Sequence, residues 1–533
     1  MFDVVLRGGW VVDGTGGPPY RADLAVTGGR VAALGRLDSA EARVRLDVTD
    51  RYLLPGFVDA HSHADGSAAS ADTQLAALRQ GVTTVILGQD GLSFAPASGQ
   101  TVAVVSQYFA AVDGSPPAEW AEGCSVAELL AYYDRATAIN VGYLAPAGTI
   151  RAEVMGFADR SPDAGELVAM ERLVERALVD GALGLSSGLE YVPGRFADAA
   201  ELAALCRPVA EAGGPYVTHM RGYEAQAWRA MAEVARIADL SGVAAHVSHY
   251  HGPANMLRAL VDDNRDRGLD ITFDAYPYLR GSTILAMVTL PPELSASPAD
   301  TLARLADPGV RSLLARDWFP TVGDVLDRIT LSFVGAAEWS WTEGLPLRKA
   351  ASDADLDAGE LVCELLLASD LRAGCVFAQP PTNTDDDMRA LLRHEAHMAG
   401  SDGILVGGHP HPRAWGTFAR LLGRHTRVLG DWTWGEAAWH LAGHPARRFR
   451  LAGRGMLLPG YAADVVVLDQ ASVSDVADYA NPRALATGVD HVLVNGEFAL
   501  RDGQLTGAQP GRALRGNDVL GSGPPRALRH GLA

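Results

Sequence analysis

The chain has 533 residues, of which 48% are hydrophobic and 20% charged, a composition typical of a soluble globular enzyme with room for a large core. Its formal net charge of −19 argues against nucleic acid and anionic membranes as partners, although local cations can still hold an acidic small molecule. The sequence has no long uncharged apolar run, opens on a charged strand unlike a secretory signal, and has four cysteines without a CxxC pair. We therefore predict a cytoplasmic protein with reduced thiols.

Both ends of the chain carry short strand-like segments separated by glycine turns. Residues 2–53 contain five such segments, and residues 460–500 contain three more. Because a β-module this small needs packing partners, we predict that residues 1–53 and 452–510 form one composite β-sandwich. The Gly-, Pro- and Arg-rich tail, residues 511–533, is expected either to be poorly ordered or to wrap the surface.

Between the two ends, in residues 54–451, strand-like and helix-like segments alternate. After an opening strand that ends at Val58, the predicted strands cover residues 82–87, 140–144, 182–186, 216–219, 243–249, 271–276 and 397–402. Eight β/α units predict a (β/α)8 barrel of the TIM type. Residues 284–330 interrupt this rhythm, and we expect an insertion there that acts as a lid over the active-site face.

The opening strand ends in polar residues. An apolar run from Leu53 to Val58 is followed by His61 and His63, which share one face of an extended chain together with Asp59. Two imidazoles on one face at a strand end can hold a divalent metal ion. A pair of surface histidines after a core strand is the alternative.

Later strands end in the same way. Asp90 follows the second strand, His219 ends the fifth, His249 ends the sixth, and Asp402 ends the eighth. Because barrel enzymes place their chemistry at the carboxyl ends of the strands, these side chains are expected to meet at one rim. Four histidines and two carboxylates favour zinc. As an alternative, the turn at Asp402 is also good helix-capping chemistry.

The chain contains a single lysine, Lys349. Some binuclear hydrolases bridge two metals with a carbamylated lysine on a barrel strand. Lys349 lies in a polar segment that we predict to be a loop, which argues against a lysine-bridged metal pair.

The motifs at these strand ends resemble those of the D-aminoacylase (N-acyl-D-amino-acid deacylase) branch of the amidohydrolase superfamily. The similarity extends over nearly the whole chain, and its motifs are specific. They are LPGFVDAHSH (54–63), GVTTVILGQDGLSFAP (81–96), GALGLSSGLEYVPG (181–194), THMR (218–221), VSHYHG (247–252), DAYPY (274–278), GSDG (400–403), HPHPRAWGTFARLLGR (409–424) and GMLLPGYAADVVVLD (455–469). The resemblance implies a metal-dependent barrel flanked by a β-sandwich.

Residue roles follow from the resemblance, motif by motif. It implies that His219 and His249 bind a tightly held zinc ion, while His61 and His63 either bind a second, weaker metal or shape the pocket around the first. Asp402 corresponds to the catalytic carboxylate, which serves first as base and then as acid. The implied substrate-contacting residues are Arg413, which would clamp the substrate carboxylate, with Tyr191, Tyr276 and Ser282.

The sequence departs from the family pattern at two positions. Asp90 stands where the family usually has a zinc-binding cysteine, and a carboxylate is a harder ligand than a thiolate. His251 stands where many members carry a lysine that holds the substrate carboxylate, and a neutral imidazole is a weaker anion site.

The leading prediction is a zinc amidohydrolase that removes the acyl group from N-acyl-D-amino acids. The departures motivate a second prediction, a hydrolase of a related amide, carbamate or cyclic amide whose substrate lacks the free carboxylate. A third is a metal-binding protein without turnover, against which the presence of Asp402 argues. The expected partner is a small-molecule amide, and both monomer and homo-oligomer stay open.

Overall fold

A computed structural model of the chain describes residues 1–294 and 296–521. In this part of the chain, eight parallel strands neighbour one another in sequence order around a ring, which confirms the predicted barrel. The barrel strands are Phe57–Asp59, Val82–Leu87, Asn140–Pro146, Gly184–Gly188, Pro215–His219, Ala244–Val247, Ile271–Ala275 and His397–Ala399.

The ring closes between the first and eighth barrel strands. The Ala60 amide donates to the Ala399 carbonyl at 3.2 Å, and the Asp402 amide donates to the His61 carbonyl at 2.8 Å. Just beyond, Ser62–His63 pairs in parallel with Gly403–Ile404. Closure therefore brings the two ends of the barrel sequence together at the carboxyl rim, where barrel enzymes place their sites.

A helix follows each barrel strand and covers the barrel. These helices are Ala71–Leu78, Val126–Tyr133, Ala164–Asp180, Ala199–Ala212, Ala227–Ser241, Ala254–Asp266, Asp385–Leu392 and Arg413–Arg420. Local signals define their ends: the third begins with a capping box between Asp163 and Glu166 and stops at Gly181, whose φ of 118° suits glycine. Further helices are Gly99–Tyr108, Ala110–Asp113, Ala147–Met155, Trp434–Ala438 and His444–Arg448.

Both chain ends join in one mixed sheet that has nine strands among the residues described. The strands are Phe2–Val11, Tyr20–Thr27, Arg30–Gly35, Ala42–Asp47, Tyr52–Pro55, Val465–Leu468, Val489–Val494, Glu497–Arg501 and Gln504–Leu505. The two halves meet where Tyr52–Pro55 pairs antiparallel with Val465–Leu468. Val4, Leu24, Val465 and Leu493 share one buried cluster, so the predicted sandwich is one continuous sheet around its own core.

The start of the C-terminal tail packs on the barrel. Ala513–Leu514 pairs in parallel with Val141–Gly142 of the third barrel strand, and a 3-10 turn follows at Gly516–Gly521. The remainder of the predicted tail, 522–533, lies outside the described residues.

The insertion between the seventh and eighth barrel strands is longer than the predicted 284–330. It contains an antiparallel sheet in which Ala373–Ala378 lies between Arg280–Ile284 and Ile329–Val334. The helices that pack around it are Leu285–Thr289, Pro298–Ala306, Pro308–Leu313, Gly323–Leu326, Leu347–Asp353 and Ala358–Ala368. Because its outer strands are far apart in sequence, the apolar pattern alone did not reveal the extent of this unit.

Two further findings bear on the sequence predictions. Lys349 lies on a helix rather than in the predicted loop, where its Nζ contacts Asp353 at 2.5 Å on the surface. Across residues 1–294 and 296–521, we find no helix with the length and apolar character that crossing a bilayer requires.

Asp464 links the terminal sheet to the barrel through hydrogen bonds and an ion pair. This buried carboxylate accepts from the Asn495 amide at 2.7 Å and from Asn140 Nδ2 at 3.3 Å, and it pairs with Arg454. Asn140 opens the third barrel strand. A buried ion pair that loses one partner leaves the other charge uncompensated in a low dielectric.

We expect Asp464→Ala to lower the free energy of unfolding by about 3–5 kcal/mol, because Arg454, whose side chain is only 11% exposed, would lose its carboxylate partner. Urea unfolding followed by circular dichroism measures this change. The matched control is Asp490→Ala, since Asp490 pairs with Arg51 at 2.6 Å but both side chains are more than a third exposed. That control should cost about 1 kcal/mol or less; equal losses in the two variants would contradict the linking role.

Candidate metal centre and active site

His61 and His63 point toward each other at the end of the first barrel strand. Their Nε2 atoms are 3.3 Å apart, and both side chains are buried. Asp59, expected on the same face, instead accepts bonds from the Ser401 amide at 2.7 Å and the His61 amide at 3.3 Å. Asp59 therefore holds the loop at the barrel closure, and the two histidines alone of these three face the rim.

Asp90 lies at the centre of the cluster. One carboxylate oxygen is 3.6 Å from His61 Nε2 and 3.7 Å from His249 Nε2, and the other is 3.7 Å from His63 Nε2 and 3.4 Å from His219 Nδ1. Its backbone has a left-handed φ of 55°, and a Cβ added to Gly188 would lie 2.1 Å from its carbonyl oxygen. The turn after the second strand thus needs glycine opposite it in order to present this carboxylate to all four imidazoles.

His219 and His249 form the second histidine pair. His219 Nδ1 is 3.1 Å from His249 Nε2, and His249 has a φ of 37°, another left-handed position at a strand end. Burial lowers the pKa of His219, but the neighbouring carboxylates Asp90 and Glu190 outweigh it and raise this pKa to about 10. A cation is therefore strongly favoured at this position.

Asp402 connects the histidines to an arginine. Its Oδ1 is 3.4 Å from His63 Nε2 and 3.7 Å from His61 Nε2, while its Oδ2 is 2.9 Å from Arg413 Nη1. Burial raises the pKa of Asp402, but the Arg413 charge and the bond to His63 outweigh this and leave the pKa below its ordinary value. Asp402 is thus an ionised carboxylate with one oxygen directed to the cluster.

An outer ring of carboxylates orients the histidines. Asp113 is 2.9 Å from His63 Nδ1, Asp274 is 3.4 Å from His61 Nδ1, and Glu190 is 2.8 Å from His219 Nε2. Asp113 and Glu190 hydrogen-bond the ring nitrogen that faces away from the cluster, and Asp274 lies beside the corresponding nitrogen of His61 without an aligned bond. The other ring nitrogens are thus left free to accept a ligand. We did not predict these three roles from the sequence. Glu190 and Asp274 belong to motifs quoted above, but nothing in the sequence singles out Asp113, which ends a four-residue helix.

The donor set fits a divalent metal ion. Two groups have their ligand atoms within 4.8 Å of one another: His61, His63 and Asp402, and His61, Asp90 and His249. Asp90 Oδ1 is buried and has no hydrogen-bond partner within the described part of the chain. Imidazole nitrogens with carboxylate oxygens suit zinc and similar ions. An ion bound here would replace the protons that the histidines otherwise carry.

Arg413, Tyr276 and Ser282 lie together on the far side of Asp402. The Arg413 guanidinium is completely buried, stacks 4.7 Å from the Tyr276 ring centroid and donates from Nη2 to the Ser282 carbonyl at 3.2 Å. Ser282 thus contributes its main chain to this contact. Arg413 Nε and Nη1 make no aligned hydrogen bond to any described residue, which leaves donors for a further acceptor.

The other two predicted contact residues flank the His219–His249 pair. Tyr191 packs 5.0 Å from the His219 ring, and its hydroxyl is 2.7 Å from Thr283 Oγ1. His251 donates from Nδ1 to the His249 carbonyl at 2.7 Å. Burial lowers the pKa of His251 to about 4, so this imidazole is neutral at pH 7.

Comparison with known proteins places this geometry in a family. The profile of the amidohydrolase family matches residues 46–499. The chain is 33% identical to the D-aminoacylase of Alcaligenes xylosoxydans xylosoxydans over 96% of its own length and 97% of that protein. It is 34% identical to the N-acyl-D-glutamate deacylase of the same organism, with 98% of both proteins covered. The chain belongs to the amidohydrolase family. The resemblance seen in its motifs is therefore confirmed.

Solved structures of this amidohydrolase family show the same architecture. The N-acyl-D-glutamate deacylase of Bordetella bronchiseptica, in complex with zinc and a phosphonate that mimics the tetrahedral intermediate, superposes with a TM-score of 0.82 and 31% identity. The alignment covers 96% of this chain and 99% of that protein. A D-aminoacylase studied for its binuclear metal centre matches with the same TM-score and identity, over 97% and 100% of the two chains.

We expect Glu190→Ala to weaken zinc binding by about 10–100-fold, because His219 would lose the acceptor that fixes its ring. Glu190→Gln keeps a hydrogen-bond acceptor and should retain most of the affinity. Titration against a chromophoric chelator measures both variants. The control is Glu497→Ala, an exposed carboxylate of the terminal sheet. Unchanged affinity in Glu190→Ala would show that the outer carboxylate does not orient the ligand.

Proposed function

We propose that this chain is a zinc-dependent hydrolase that cleaves the amide bond of N-acyl-D-amino acids into a carboxylate and a free D-amino acid. The observation that carries the proposal is the position of Asp402, between the histidine cluster and Arg413. The whole-length similarity to proteins named for this activity supports the substrate class.

The proposed zinc ligands are Asp90, His219 and His249, with His61 and His63 for a second, weaker ion or for shaping the pocket. Bound zinc would supply a Lewis acid that polarises the amide carbonyl and lowers the pKa of a bound water. The remaining work falls to the protein. The three outer carboxylates hold the imidazoles in orientation, and the buried walls of the barrel keep bulk water from the reacting groups.

Asp402 is the proposed general base and acid. Because its pKa is kept low, it is ionised and can take a proton from the attacking water. It then delivers that proton to the leaving nitrogen, so one carboxylate serves both sequential transfers. Arg413 is proposed to contact the substrate carboxylate with its uncommitted donors, in addition to holding Asp402. Tyr191, Tyr276, Ser282 and His251 are proposed to line the substrate site.

The alternative is a hydrolase of a related amide, carbamate or cyclic amide that lacks a free carboxylate. The observation that favours it is the neutral His251 in the place where many relatives carry a lysine. A panel of N-acetyl-D- and L-amino acids, their amides and hydantoins separates the two proposals. Turnover of hydantoins or amides without turnover of any free N-acetyl-D-amino acid would reject the leading one.

Asp402→Asn is expected to reduce kcat by about two to four orders of magnitude, because the amide cannot accept the proton. Far-ultraviolet circular dichroism and zinc content, measured on the same samples, should show a folded, metallated protein. Asp386→Asn, at a fully exposed position, should behave as wild type. An Asp402→Asn enzyme with most of its turnover would remove Asp402 from the mechanism.

Arg413→Met is expected to move the acid limb of the pH profile of kcat/KM to higher pH. The guanidinium lowers the pKa of Asp402, so without it the carboxylate is protonated, and inactive as a base, at a higher pH. Arg413→Lys keeps a cation and should therefore leave the acid limb closer to its wild-type position.

A second test addresses the proposed contact between Arg413 and the substrate carboxylate. The activity that Arg413→Met loses is measured on a free acid and on the amide of the same substrate. Equal losses on both would dismiss contact with the substrate carboxylate.

A further inference from the structure

A crevice opens beside the candidate metal centre, on the side of His249. Its walls include His249, His251 and Tyr276 from the barrel and Gln379, Asn383 and Met388 from the segment that leaves the insertion. Within the described residues, no Asp, Glu, Lys or Arg side chain lines it. The crevice adjoins the proposed reaction site through His249 and through Tyr276, on which Arg413 stacks.

Two primary amides face each other in this crevice. Asn383 Nδ2 donates to Gln379 Oε1, which leaves Gln379 Nε2 as a donor and Asn383 Oδ1 as an acceptor. Asn383 is 6% exposed, and its Oδ1 has no hydrogen-bond partner among residues 1–294 and 296–521. If both amides were rotated by 180°, their roles would exchange, but the pair would still offer one donor and one acceptor. The donor–acceptor character is therefore independent of the assignment.

This pattern matches one functional group. A neutral carboxamide offers a donor and an acceptor, and so can satisfy both free positions of the pair. A carboxylate only accepts, which would leave the acceptor of the pair unsatisfied, and an alkyl group would leave both unsatisfied at a cost. Thr382, the residue before Asn383, donates to the Glu224 carboxylate at 3.3 Å. A carboxylate near the pair opposes the binding of an anion further.

The size of the crevice limits what can enter. The centre of a water molecule can move within only about 10 Å³ of it, which is room for one water molecule. A small terminal group that displaces such a water can reach the amide pair, whereas an aromatic ring cannot. The crevice therefore suits the end of a short chain on the leaving amino-acid part of the substrate.

We infer that the Gln379–Asn383 pair selects substrates that carry a neutral carboxamide on the leaving amino-acid portion, an inference that rests on the proposed function. The carboxamide has two possible sources. It is either the side chain of an N-acyl-D-glutamine or N-acyl-D-asparagine, or the α-carboxamide of an amidated amino acid.

The test measures kcat/KM for the zinc-loaded enzyme on four substrates. N-acetyl-D-glutamine is compared with N-acetyl-D-methionine, which has a similar shape without the amide, and with the charged N-acetyl-D-glutamate. N-acetyl-D-methioninamide supplies the α-carboxamide arm. The wild type should prefer one carboxamide substrate over N-acetyl-D-methionine by about tenfold, and N-acetyl-D-glutamate should be the poorest.

Asn383→Leu and Gln379→Met remove the pair's free groups at nearly constant volume. Each should reduce the preference for the carboxamide substrate over N-acetyl-D-methionine by about tenfold. Gln504→Met, at an exposed glutamine of the terminal sheet, is the matched control and should leave that preference unchanged. A preference unaltered by both crevice variants, or a wild type that prefers N-acetyl-D-glutamate, would overturn the inference.

Calorimetric measurement of ligand binding distinguishes a failure of this inference from a failure of the proposed function. If the wild type hydrolyses none of the four compounds, the proposed function fails. The crevice is then tested by binding, with N-acetyl-D-glutamine, N-acetyl-D-methionine and N-acetyl-D-methioninamide titrated into wild type and Asn383→Leu. Tighter binding of a carboxamide compound that the variant abolishes supports the inference, and equal affinities reject it.

Discussion

One hydrogen bond at the barrel closure organises the site. The Asp402 amide donates to the His61 carbonyl at 2.8 Å, and this contact joins the first and last strands of the barrel. The same two residues carry a histidine of the cluster and the proposed general base, so the backbone contact that closes the ring also fixes the spacing of their side chains. Asp402 has a φ of 49°, and the closure holds it in that sparsely populated conformation. The hydrogen bond that closes the barrel thus also fixes the geometry of the candidate site.

Charge balance explains the arrangement around this closure. Asp90 and Asp402 face the cluster, and Asp113, Asp274 and Glu190 contact the histidines from outside. So many buried carboxylates repel one another strongly in a low dielectric unless cations lie between them. Arg413 supplies part of that charge, and so do His61, His63 and His219, since burial lowers their pKa values less than the neighbouring carboxylates raise them. The position of Asp90, within 3.4–3.7 Å of all four imidazoles, makes the centre of the cluster the natural place for a metal ion.

The sequence predicted the residues that end strands and missed those that reach the site from elsewhere. Histidines and aspartates after apolar runs, such as His61, His219 and Asp402, are visible because parallel strands end at a common rim. Asp113 lies on a short helix and Asp59 turns into the closure, and only the folded backbone shows which polar residues point inward. The insertion was recognised but underestimated, since its central strand, Ala373–Ala378, pairs with an outer strand far earlier in the chain: Ile284 pairs with Gly374, 90 residues later.

The barrel and the insertion contribute different groups to the candidate site. The barrel strands supply the histidines and Asp402, whereas the insertion delivers Ser282 to Arg413, Thr283 to Tyr191, and Gln379 to the crevice beside His249. Its antiparallel sheet packs on a buried cluster of its own, distinct from the core of the barrel. The neutral His251 and the amide pair line the same crevice, and under our inference both would discriminate by hydrogen bonding rather than by charge. Among the described residues no Asp, Glu, Lys or Arg side chain lines this crevice, so any selection there depends on hydrogen bonding, whereas the charge of Arg413 lies beside Asp402.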